Sequence, residues 1–138
     1  ALGPFMYMLT WNEEEARVEA SLGGRVTAAE VNVLAEELQD VIEQLETPFL
    51  LLLDYSRAQA LDEAASEALC TLKDFCLDNG AEKIVSVVFD EEEAARHIDH
   101  RLQLVLEGRE AIVAQGSEAQ HLRREAVIYD LNEIRKAA

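Results

Sequence analysis

A chain of 138 residues with 49% hydrophobic content is long enough for one domain with its own core, since a domain of about 150 residues buries roughly 70% of its unfolded surface. Its 28 acidic against 12 basic residues leave a formal charge of −16, which opposes nucleic acid and anionic membrane as partners and favours a basic protein surface. No apolar run approaches the roughly 20 residues of a membrane span, and the N-terminus lacks the order of a signal peptide, so a cytoplasmic chain without membrane insertion is expected.

Residues 1–5, ALGPF, read as a cloning remnant before a start at Met6 or Met8, leaving 6–138 as a single domain. MYMLTW is a short aromatic strand followed by a polar turn. Arg17, Glu19 and Ser21 then alternate with Val18, Ala20 and Leu22, the pattern of a second strand wet on one face, so the two form a hairpin. Gly23 and Gly24 break that pattern. Thr27 and Glu30 form a T-x-x-E capping box, and Val31, Leu34, Leu38, Val41, Ile42 and Leu45 recur at helical spacing behind it. Pro48 stops this helix. Phe49 to Leu53 is a uniformly apolar strand of the kind buried on both faces at the centre of a sheet.

A polar crossing is expected from Asp54 onward, and loops that leave central strands are common recognition sites. Asp62 caps a second helix with Ala65, Leu69, Leu72, Phe75 and Cys76 inward, ended by Asn79 and Gly80. Cys70 and Cys76 lie six residues apart on it, about 9 Å along the axis, beyond disulfide reach, and are expected as reduced, packed thiols. KIVSVVF is the next buried strand. Asp90 caps a third helix with Glu91, Glu92 and Glu93 in its first turn and a buried stripe of Ile98, Leu102 and Val105. Residues 107–125 give no clear period, with Ala111, Ile112 and Val113 compatible with continued helix between Gly108 and Gly116. AVIY (126–129) reads as a last strand, and Asp130 opens a terminal helix through Leu131 and Ile134.

The expected fold is therefore α/β: a mixed sheet of about five strands, an N-terminal hairpin plus parallel strands, with about four helices packed on it. No glycine fingerprint of a dinucleotide site and no P-loop is present. Glu93, His97 and His100 have the spacing of ligands on one helix face, but Arg96 and Arg101 stand beside them, so neither metal nor cofactor is assigned. Asp54 and Asp62 fit structural roles at a strand end and a helix start better than an acid–base pair, and no enzymatic activity is assigned. Arg123, Arg124, Arg135 and Lys136 are too few for a nucleic-acid footprint.

The element order, with ASLGGRVTAAEVNVLAEEL, FLLLLDYSRAQALDEAASEAL and AEKIVSVVFD, resembles the STAS domain family, the sulfate transporter and anti-sigma factor antagonist fold, over about residues 8–134. In that family an Asp-Ser-Ser/Thr-Gly element opens a helix, and its phosphorylated serine switches partner binding. Leu61 and Asp62 match the hydrophobic and acidic positions, whereas Glu63, Ala64 and Ala65 replace Ser, Ser and Gly. The phosphoacceptor position is thus Ala64, which has no oxygen to modify. The resemblance implies a non-enzymatic regulatory or scaffold module that binds a protein through residues 54–68, with Asp54, Ser56, Asp62, Glu63 and Ser66 as contact residues. An anti-sigma factor or a kinase-like switch protein is the implied partner. The alternative is a STAS-like carrier of a nucleotide or lipid. Self-pairing of the aromatic N-terminal strand into a homodimer is a further expectation.

Overall fold

MYMLTW pairs antiparallel with the alternating segment behind it, as β1 (Met6–Asn12) and β2 (Arg17–Arg25), in a computed structural model that describes residues 3–46, 48–59 and 61–115. The turn between them is held by Asn12, whose Oδ1 accepts the Glu15 N–H at 3.1 Å, and by Ala16 at φ 52°. Helix α1 (Ala28–Gln44) starts on the expected capping box: the Thr27 hydroxyl accepts from the Glu30 amide, and Glu30 reaches back to the Thr27 amide. Its buried residues are Val31, Leu34, Leu38, Val41 and Ile42.

Strand β3 (Phe49–Gln59), helix α2 (Glu63–Asp78), strand β4 (Ala81–Val88), helices α3 (Glu91–His100) and α4 (Leu102–Leu106), and strand β5 (Glu110–Ala114) complete the described chain. The sheet runs β1-β2-β3-β4-β5, antiparallel only at the hairpin, so β3 is its centre and β1 an edge. This is the mixed five-stranded α/β fold that the periodicities predict. Val18, Ala20, Leu22, Leu51, Leu53 and Ile84 build the main core with the buried stripes of α1 and α2. Leu50, Leu52, Val85 and Val87 alternate with them and form a second apolar cluster on the opposite face.

Five local expectations are corrected. Asp54 does not begin a loop: β3 continues through Gln59, pairing in parallel with β2 as far as Arg25. β2 likewise runs through both glycines, its register shifting between Ser21 and Gly23. Gly24 needs its freedom there, with φ +75° and a backbone so near Pro4 that a Cβ would meet the Pro4 carbonyl. Residues 3–5 belong to the packing, since the Arg25 N–H donates to the Gly3 carbonyl and Phe5 packs on the core.

Ala111, Ile112 and Val113 lie in β5, paired with β4, rather than in a continued helix. The third helix breaks at Arg101, and its expected stripe does not hold. Leu102 is exposed, Ile98 and Val105 are half-buried, and Ala94 is the buried contact of α3. The strand at 126–129 and the helix from Asp130 lie outside the described residues. Among the described residues no helix is long and apolar enough to cross a membrane.

Candidate binding site

Helices α2 and α3 both start on an aspartate cap, and their starts frame one groove. Asp62 Oδ1 accepts the Ala65 N–H at 2.8 Å, and Asp90 Oδ1 accepts the Glu93 N–H at 2.8 Å. From these starts α2 projects Glu63, Ser66, Glu67, Cys70 and Thr71 along one face, the i, i+3, i+4, i+7, i+8 spacing of a helical stripe. Across from it α3 projects Glu93, Arg96, His97 and His100, and Arg101 follows at the helix break. With Leu61 they enclose about 600 Å³.

Behind the groove lies a buried charge network. Lys73 is 1% exposed and Glu110 2% exposed, and their Nζ and Oε2 are 2.9 Å apart. The Lys73 ammonium also donates to the Tyr55 hydroxyl at 2.9 Å, and the Ser86 hydroxyl donates to Glu110 Oε2 at 3.3 Å. Arg101 supplies the second cation: its Nε reaches Glu110 Oε1 at 2.8 Å and its NH1 reaches Asp74 Oδ1 at 2.9 Å. Burial opposes charge on Lys73, but the Tyr55 hydroxyl and the Glu110 carboxylate outweigh it and move its pKa upward. Arg101 behaves alike, burial being outweighed by Glu110 and then Asp74. One carboxylate thus answers two buried cations.

The network touches the groove through His97. Its ring meets the Tyr55 ring edge-on at 5.6 Å, and its Nε2 is 3.8 Å from Glu93 Oε1. Burial, then the nearby Lys73 cation, hold the His97 pKa below the ordinary histidine value despite Glu93. This environment favours the uncharged imidazole. Glu93 and His97 therefore meet, yet among the described residues no three candidate metal ligands gather in one place. Cys70 and Cys76 are free thiols as expected; burial raises the Cys76 pKa to about 12, while Cys70 is half-buried on the groove wall.

The sequence-predicted contact residues separate into three places. Glu63 and Ser66 line the groove, and Ala64 is exposed beside them. Asp62 is exposed but committed to its capping bond. Asp54 and Ser56 lie within β3, where Asp54 Oδ1 accepts both the Ser56 N–H at 3.0 Å and its hydroxyl at 2.6 Å. Ser56 is buried, and it lines a separate hollow with Gly24, Arg57 and Phe89.

Lys73, Arg101 and Glu110 escape sequence reasoning, although Lys73 carries a signal. It stands four residues after Leu69 and three before Cys76, squarely on the apolar face of its helix, where an unpaired lysine is disfavoured. Comparison with protein-family models gives no match, and no curated protein matches the chain.

Proposed function

We propose that this chain is a cytoplasmic, non-enzymatic regulatory module of the STAS type, which binds a protein partner through the start of α2 and the adjoining groove. The observation that carries this reading is the first turn of α2, where Glu63 and Ala64 are exposed and Glu63 and Ser66 line the groove. The sheet order, with one antiparallel edge strand and a helix opening just past the central strand, supports the family reading. Ala64 at the phosphoacceptor position makes the module constitutive, since no phosphate can be attached there to alter the interface. An anti-sigma factor or a kinase-like switch protein is the class of partner that this reading implies.

The test is a photo-crosslinking amino acid at position 64 of the full chain, expressed in cells. A discrete adduct is expected, lost when Glu63→Arg is added with the Asp62 cap intact. An adduct that survives that reversal, or forms only from a control position on the outer face of α1 such as Glu36, sinks the reading. β1 extends the proposal to self-association, because this edge strand exposes Met6 and Met8 at 65% and Trp11 at 46%. Light scattering that gives a monomer mass at high concentration removes that part.

A second reading, carriage of a small ligand, is favoured by the groove itself. Its volume of about 600 Å³ lies within the ~300–1,000 Å³ typical of small-molecule sites. Native mass spectrometry of the purified chain should show a retained mass if this reading holds, and a clean apo mass counts against it.

A further inference from the structure

We propose that two copies of this chain join through β1, antiparallel and with Leu9 of one copy opposite Leu9 of the other, so that one sheet runs through both. The inference rests on the self-association reading of β1 and adds its orientation and register. β1 is an edge of the sheet, and six of its seven residues are exposed. Strand edges are normally guarded by a charge, a proline, a bulge or a covering segment. MYMLTWN has no charge and no proline, and its pairing with β2 runs from Met6 to Asn12 without a shift in register. In a chain with 29% charged residues, the most exposed strand is the one that carries no charge.

Charge decides the orientation. Two copies of a chain at −16 can meet only where like charges stay off the seam, and β1 is such a line. Glu13, Glu14 and Glu15 follow one end of the strand directly, while Gly3, Pro4 and Phe5 precede the other. A parallel seam would set these acids against their own copies, whereas an antiparallel seam sets each acidic end beside an uncharged one. The faces then fix the register. Tyr7, Leu9 and Trp11 stand opposite the core residues Leu22, Ala20 and Val18 of β2 and share the helix-bearing face; Met6, Met8, Thr10 and Asn12 share the other. With Leu9 opposite Leu9, Tyr7 of each copy meets Trp11 of the other, Met8 meets Thr10, and the whole strand is paired. A slip of two residues either way pairs only Met6–Thr10 or Met8–Asn12. Tyr7 is already held for this contact, its ring stacked on Phe5 at 5.5 Å and its hydroxyl donating to Glu37 at 2.5 Å. Trp11 is 46% exposed and has no ring partner among the described residues. A foreign strand would have to supply this pattern, but a second copy brings it by symmetry. The groove lies at the other side of the sheet, where α2 packs on β4 and α3 on β5, and stays open in both copies.

Light scattering of the full chain across a concentration series reads the oligomeric state, and cysteine pairing in a Cys70→Ser background reads the register. The wild type should be a dimer at high concentration, and the dimer should tighten as salt rises, because both copies are acidic and the seam is uncharged. Chains carrying Met6→Cys and Asn12→Cys, mixed and oxidised, should form a disulfide-linked pair, and neither should link to itself. Opposed residues have Cα atoms about 4.5–5.5 Å apart, within disulfide reach, whereas the same end position in the two copies is about 20 Å apart. Met8→Lys with Thr10→Lys changes two exposed side chains, sets lysines opposite lysines, and should give a monomer with an unchanged circular dichroism spectrum. A dimer in which Met6→Cys links to itself, in which the mixed pair fails to link, or which survives the two lysines or loosens with salt, overturns this seam and leaves self-association standing. A monomer mass at high concentration overturns both and leaves the edge to a strand of another protein.

Discussion

Glu110 is paired with two buried cations, Lys73 and Arg101, the second of which also has Asp74, so its loss should be felt more than that of Lys73 alone. Glu110→Gln leaves Lys73 and Arg101 facing a neutral amide in a buried site. Removing one side of a buried ion pair destabilises by about 3–5 kcal/mol, and urea unfolding should show a loss in that range. Lys73→Met should cost less, since Glu110 keeps Arg101; equal losses would contradict the central position of the carboxylate. His97 gives a pH signature with a definite sign. Its folded pKa lies below the unfolded value of 6.5, so its contribution to stability is present above that pH and is lost as pH falls toward the folded value. The wild type should therefore lose stability more steeply below about pH 6.5 than His97→Gln does, and parallel slopes would refute the assignment. The thiols separate by burial: a thiol reagent should titrate Cys70 alone in the native protein and both cysteines in denaturant, because Cys76 is buried with a pKa of about 12.

At the level of elements, the start of α2 joins a structural duty to a proposed functional one. Asp62→Ala removes the acceptor of the Ala65 amide and should destabilise by about 1 kcal/mol, whereas Asp62→Asn keeps a cap and should stay within a few tenths. Partner binding should survive Asp62→Asn, which separates capping from recognition. The helices and the central strand are legible in the sequence because their signals are local: a capping box, aspartate caps, a Gly80 stop, and apolar stripes of fixed period. What escapes is set by partners distant in the chain. DYSRAQ is polar, yet it stays in β3 because β2 pairs with it as far as Arg25 and because Asp54 satisfies Ser56 from within the strand. β5 is five residues long and begins with a glutamate that no local pattern marks as buried; Lys73, 37 residues earlier, is what admits it. Of the five predicted contact residues, two, Glu63 and Ser66, line the groove. The facing residues of α3 show in the sequence only as the spacing of Glu93, His97 and His100, discounted for Arg96 and Arg101 beside them.

At the scale of the molecule, Lys73 and Arg101 are withdrawn from the surface among the described residues together with one acid, Glu110, so this burial takes one net positive charge out of the exposed shell. Arg96, exposed on α3, lines the groove opposite Glu63 and Glu67 and is a local exception. Against such a background a positively charged arriving surface is attracted everywhere but is oriented here. Arg101 also ends α3, begins α4, holds β5 through Glu110 and ties back to α2 through Asp74. Segments fastened through one side chain cannot open one at a time. Amide hydrogen exchange should find α4 and β5 opening as a single cooperative unit with a common free energy, distinct from the β1–β2 hairpin and α1. Glu110→Gln should speed exchange across that unit together, and a variant in which β5 loosens while α4 keeps its protection would show that the two are not joined in this way.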